Sequence, residues 1–137
     1  MTLALTARGS YGGAANIGNG GTFATGSFTP SADAVLFAFV GTQGGPGVAS
    51  NGLASITGHG TWAALNVGDG PSVCGNDQLL EIWGCKTSAS PTASAVTFTN
   101  TTQTKIRAAA SIVEVSGIDA AAAIADIVRQ CVERNEG

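Results

Sequence analysis

The feature that most constrains this chain is a strand–turn–strand pattern between Thr22 and Gly41. Thr22 to Pro30 is small, polar and β-rich, with Phe23 and Phe28 near its ends. It stops at Pro30, which has no N–H to give to a ladder and suits a strand end or turn. Ser31-Ala32-Asp33 makes a short loop, and the run Ala34-Val35-Leu36-Phe37-Ala38-Phe39-Val40 follows at once. An apolar run of this length, bounded by turn residues, reads as a strand buried on both faces. The pattern points to an all-β class.

The rest of the chain agrees. Thr2 to Arg8 alternates as a first strand, with Leu3, Leu5 and Ala7 on one face, and Gly9 to Gly21 reads as a Gly/Asn-rich loop. Gly41 to Gly47 and Val67 to Asp77 read as further loops, since Gly and Pro disfavour regular pairing there. Two short strands flank the turn Gly58-His59-Gly60. Leu79 to Lys86 alternates Leu80 and Ile82 against Leu79, Glu81 and Trp83. Ala95 to Thr99 places Val96 and Phe98 inward, and Lys105 to Val115 sets Val113 and Val115 opposite Ile112 and Glu114. About seven or eight short strands with frequent turn signals argue for a single β-sandwich or jelly-roll-like domain over 1–117. Its expected core is Val35, Phe37, Phe39, Ile82, Trp83, Val96, Phe98, Val113 and Val115.

Residues 118–137 differ. Ile124, Ile127, Val128, Cys131 and Val132 recur at helical spacing after the run Ala120–Ala123, and Asp119 is placed to cap them. This segment reads as a C-terminal tail or short helix. It packs either on its own sandwich or on a neighbouring subunit. In the second case Ile124, Ile127, Val128 and Val132 form the contact and Arg129 and Arg134 its polar rim.

Composition narrows the function. The chain has 137 residues, enough for one domain with a compact core. Charged residues are 11%, against roughly 25% in ordinary globular proteins, and the net charge is −3. A surface so poor in charge suits a subunit of a large assembly better than a freely diffusing enzyme. The six Lys and Arg are scattered, so nucleic-acid binding is not expected. No apolar run approaches the roughly 20 residues that cross a bilayer, and the N-terminus lacks the pattern of a secretory signal. No membrane association is expected.

The candidate sites each have a plain alternative. His59 is the single histidine, and a Ser-His-Asp triad would need it as base, yet no Gly-x-Ser-x-Gly elbow surrounds any serine. Cys74 and Cys85 flank a loop and either pair or remain reduced with Cys131. These cysteines and His59 lack the close spacing of zinc ligands. Asp69, Asn76 and Asp77 lack calcium-loop spacing. Glu81 and Glu114 sit on strands, where a glycosidase pair would face each other and an ordinary carboxylate would point outward or block an edge. Trp62, Trp83 and Tyr11 suggest a sugar-stacking platform or core residues. Asn100-Thr101-Thr102 matches a glycosylation sequon. No catalytic residue, metal or cofactor is expected.

Three segments in order carry a family resemblance: Gly26-Ser27-Phe28-Thr29-Pro30 with Ala34-Val35-Leu36, then Gly58-His59-Gly60-Thr61-Trp62, then Ser111 to Asp119. Together they resemble β-sandwich modules of tailed bacteriophages, found in head decoration, cement or tail-associated proteins. Such modules often continue for several strands beyond the last segment, where this chain has its tail. The resemblance implies a non-enzymatic virion structural protein. It would be assembled in the host cytoplasm and sit on the capsid exterior, bound to the major capsid protein, to itself as a homo-oligomer such as a trimer, or to both. A carbohydrate-binding β-sandwich module, virion-attached or secreted, is the alternative.

Overall fold

A computed structural model of the chain describes residues 3–13, 16–44, 52–65, 78–101 and 105–117. Eight strands run in the order β1 (Ala4–Gly13), β2 (Thr22–Ala24), β3 (Val35–Gly44), β4 (Leu53–Thr57), β5 (Ala63–Ala64), β6 (Gln78–Lys86), β7 (Thr97–Asn100) and β8 (Lys105–Ser116). Among the described residues there is no helix, and every strand pair is antiparallel. Five strands form one sheet in the order β1-β8-β3-β6-β5, and three form the other in the order β2-β7-β4. The all-β sandwich expected from the alternation is the fold.

The two sheets close on one core. Leu36, Ala38, Val40, Cys85, Ala108, Ala110 and Ile112 come from the large sheet, and Phe23, Leu53, Ile56, Val96 and Phe98 come from the small sheet or its margin. Phe23 stacks on Phe98 with centroids 4.8 Å apart, and Tyr11 tilts against Phe23 at 5.0 Å. Such aromatic pairs add to what burial alone provides.

The turn before β3 is held by side chains. Asp33 takes φ 50°, a left-handed conformation that Asp tolerates better than most residues. Thr87 Oγ1 accepts the Ala34 N–H at 2.9 Å and donates to the Ser31 carbonyl at 2.8 Å. Thr25 plays a similar part at the head of β7. Its hydroxyl accepts the Val96 N–H at 3.1 Å, and regular pairing begins one residue later at Thr97. The Gly58-His59-Gly60 turn is obligatory. Gly58 has φ +104°, and a Cβ there would strike the Ala95 carbonyl oxygen.

Three expectations need correction. The first strand does not stop at Arg8; it continues to Gly13, because β8 offers a long partner as far as Ala108. Phe39 is not core: it is 40% exposed, and Phe37, Ile82, Val113 and Val115 are only half-buried. They share the outer face of the large sheet, while the opposite parity of β3 and β8 packs on the small sheet. Trp83, also expected in the core, is half-buried and packs against its margin. Val35, Val96 and Phe98 are buried as expected. The third correction concerns Glu81 and Glu114, which are buried instead of facing outward.

Candidate functional site

The longest open structural element is the outer edge of β1. β1 ends one side of the large sheet, and among the described residues no strand pairs with its far side. The other margins are short: β5 has two residues, β2 three and β4 five. A long edge displays unpaired N–H and C=O groups to any chain that lies beside it. Leu3 and Leu5 flank this edge at 61% and 71% exposure.

A bulge divides the edge. The β1–β8 register shifts between Ala7 and Gly9, leaving Arg8 as the extra residue. Its guanidinium turns inward to Glu114. Nε donates to Oε2 and Nη2 to Oε1, both at 2.8 Å. The Ser31 N–H also donates to Oε2 at 3.0 Å, and Arg8 Nη2 reaches Ser31 Oγ at 3.2 Å. Burial alone would push the Glu114 carboxyl up, but the hydrogen bonds from Arg8 and Ser31 outweigh it and hold it below its ordinary value near 4.5. The same bond raises the Arg8 guanidinium further. The ion pair thus spends an edge cation internally and leaves an uncharged stretch, Leu3 to Ala7, beside the open edge.

Glu81 accepts the Leu53 N–H with both oxygens, at 3.2 and 3.0 Å. It lies opposite Val40 on β3, whereas Glu114 lies opposite Leu36. Those rows are about 13 Å apart along the strand, beyond the roughly 5–10 Å at which paired carboxylates cleave a glycoside. Both carboxylates are committed to donors of the fold, Glu81 to the Leu53 N–H and Glu114 to the Arg8 guanidinium and the Ser31 N–H.

His59 borders a shallow hollow of about 190 Å³ with Ser88, Ser90, Pro91, Thr92 and Ser94. Its φ is 64°, its ring packs on Phe28 at 4.4 Å, and Nε2 lies 3.0 Å from the Ser94 carbonyl. A carbonyl only accepts, so Nε2 carries the proton. Desolvation favours the neutral ring and lowers the His59 pKa, outweighing the bond to the Ser94 carbonyl, which raises it. Ser94 Oγ is 3.4 Å from both ring nitrogens, so the Nδ1 lone pair is not aimed at it. This is not the alignment a Ser–His nucleophile requires.

The remaining sequence candidates separate. Trp62 is buried and donates from Nε1 to the Gly58 carbonyl at 2.7 Å. Trp83 and Tyr11 pack against the core, so the three aromatics form no exposed platform. Asn100 is buried and donates to the carbonyls of Ile17 and Gly18, which commits the amide of the sequon to the fold. Cys85 is a free buried thiol, pushed by desolvation up to about 12. Cys74, Cys131, Asp69, Asn76 and Asp77 lie outside the described residues, as do Ile124, Ile127, Val128, Arg129, Val132 and Arg134. The β1 edge escaped the sequence reading because edge status depends on strand order; the only local signal was the exposed alternation of Leu3 and Leu5.

No family model matches the chain, and neither a curated protein nor a solved structure matches it. The likeness to phage modules rests on the three sequence segments alone.

Proposed function

We propose that this protein is a non-enzymatic structural subunit of a phage virion, a decoration or cement protein on the capsid exterior. The observation that carries the reading is the open β1 edge flanked by exposed Leu3 and Leu5. An edge of this kind binds by strand addition: main-chain hydrogen bonds give the affinity, and alternate side chains give the register. The apolar flank adds contact area, and the low charge content, 11%, spares the contact much desolvation cost. The partner is a shell subunit, or another copy of the chain held in a cyclic cap over several shell subunits. Its effect is mechanical, since a contact that spans neighbouring subunits resists their separation.

The test is co-purification with intact particles. The wild-type chain is expected at a fixed ratio to the major shell protein, and the double variant Leu3→Lys/Leu5→Lys is expected to fold but leave the particles. Wild-type chain absent from particles, or full retention of the variant, refutes the assignment.

A further inference from the structure

The hollow beside His59 has walls that the fold pins in place. One wall is the Gly58-His59-Gly60 turn. Trp62 Nε1 donates to the Gly58 carbonyl, and Gly60 packs so closely on the Lys86 carbonyl that a Cβ would collide with it. His59 holds φ 64°, and its ring is fixed by packing on Phe28 and by the bond from Nε2 to the Ser94 carbonyl. A non-glycine residue held at positive φ is a feature of ligand clamps as well as of turns. The other wall is the segment from Ser88 to Ser94. At its start the Ser88 carbonyl accepts the Asp33 N–H at 3.1 Å, directly after the Thr87 N–H has bonded the Ala34 carbonyl at 2.9 Å. At its end Ser94 and Phe28 exchange both backbone bonds, at 3.0 and 3.1 Å. Pro91 stiffens the crest between these anchors.

We propose that this hollow binds a neutral sugar, one terminal pyranose of a glycan. Its lining is His59, Ser88, Ser90, Pro91, Thr92 and Ser94, and no charged side chain is among them. Lys86 and Asp33, whose backbones touch the walls, pair with each other at 3.6 Å. The His59 ring is neutral at pH 7, since Nε2–H is committed to a carbonyl and desolvation opposes a second proton. Nothing in the lining balances the charge of a phosphate or a cation. An apolar ligand fits no better, because it strips water from the hydroxyls and returns no hydrogen bond. No described residue bonds the side chains of Ser88, Ser90 or Thr92, so these hydroxyls are open to donate and to accept. Nδ1 of His59 remains as the ring's acceptor. Donors and acceptors set side by side match the vicinal hydroxyls of a sugar, and Pro91 offers its C–H face a low apolar wall. The volume of about 190 Å³ equals roughly six waters and falls short of the roughly 300–1,000 Å³ that enclose drug-sized ligands. One ring therefore enters, and the rest of the glycan stays in solvent. Trp62, Trp83 and Tyr11 form no stacking platform, so recognition here rests on hydroxyls and the affinity is of about millimolar order. The inference does not rest on the virion assignment.

The test is a sugar titration followed by two-dimensional NMR. Methyl glycosides of glucose, galactose, mannose and N-acetylglucosamine are added separately to the isotope-labelled full chain, up to about 50 mM, well above the expected constant. At least one is expected to give saturating amide shifts at His59, Ser88, Ser90, Thr92 and Ser94. Ser90→Leu puts bulk in place of a lining hydroxyl and should weaken that sugar by about tenfold or more, and Thr92→Val removes one hydroxyl and should weaken it about fivefold. Both positions are exposed, and the spectra themselves report that the variants are folded. The inference is overturned if no sugar gives saturating shifts, if the shifts saturate elsewhere on the protein, or if either folded variant binds as the wild type does. Inorganic phosphate that moves the same amides at lower concentration than any sugar marks an anion site, and overturns it too.

Discussion

Glu114→Gln tests the clasp that joins β1, β8 and the turn before β3. The substitution keeps the shape of the side chain but removes its charge and replaces one acceptor with an NH₂ donor. All three positions around the carboxylate are donors: Arg8 Nε, Arg8 Nη2 and the Ser31 N–H. Whichever way the amide is turned, its NH₂ meets at least one of them. Glu114 is 1% exposed, so water cannot relieve the conflict; Arg8, at 27%, keeps partial hydration. Removing one partner of a buried pair costs about 3–5 kcal/mol, and the exposure of Arg8 places the expected loss near the lower end, about 3 kcal/mol. For a domain of this size that lowers Tm by roughly 10 °C. Urea unfolding followed by Trp62 and Trp83 fluorescence measures it at pH 7. The pH dependence adds a second check. Glu114 is held below its ordinary value near 4.5, so its contribution is fully present above that value and is lost as pH falls through the lower folded value. The gap between wild type and variant should therefore narrow in acid. A difference under about 0.5 kcal/mol at pH 7, or a gap unchanged by acid, would refute the reasoning.

Phe98→Ala, in the centre of the inter-sheet core, should cost about 3–5 kcal/mol, whereas Phe39→Ala on the outer face should cost about 1–2 kcal/mol. Equal losses in denaturant titrations would show that the two faces are misassigned. The Cys85 thiol, raised to about 12 and buried, should resist a thiol reagent at pH 8 in the folded chain and react at once in urea. Labelling of the Cys85 peptide without denaturant would contradict that environment.

Much of the fold was legible because β-strands write their pleat into the sequence. The alternation of Val96 and Phe98, the turn at Gly58-His59-Gly60, and the strands ending at Lys86 and near Val115 all depend on local backbone geometry, and all are present. The choice of face was not legible. On β3 both parities are apolar, Leu36, Ala38 and Val40 on one side and Val35, Phe37 and Phe39 on the other, so a period of two cannot say which side meets the second sheet. Strand order made that choice, and it also made β1 an edge and so created the candidate site. The buried carboxylates were equally hidden. Arg8 and Glu114 are 106 positions apart, and only the pairing of β1 with β8 brings the guanidinium to its partner. Local propensity determined that this chain is made of strands. Pairing between distant segments, which sequence periodicity does not encode, decided which apolar face became the core and which edge was left open.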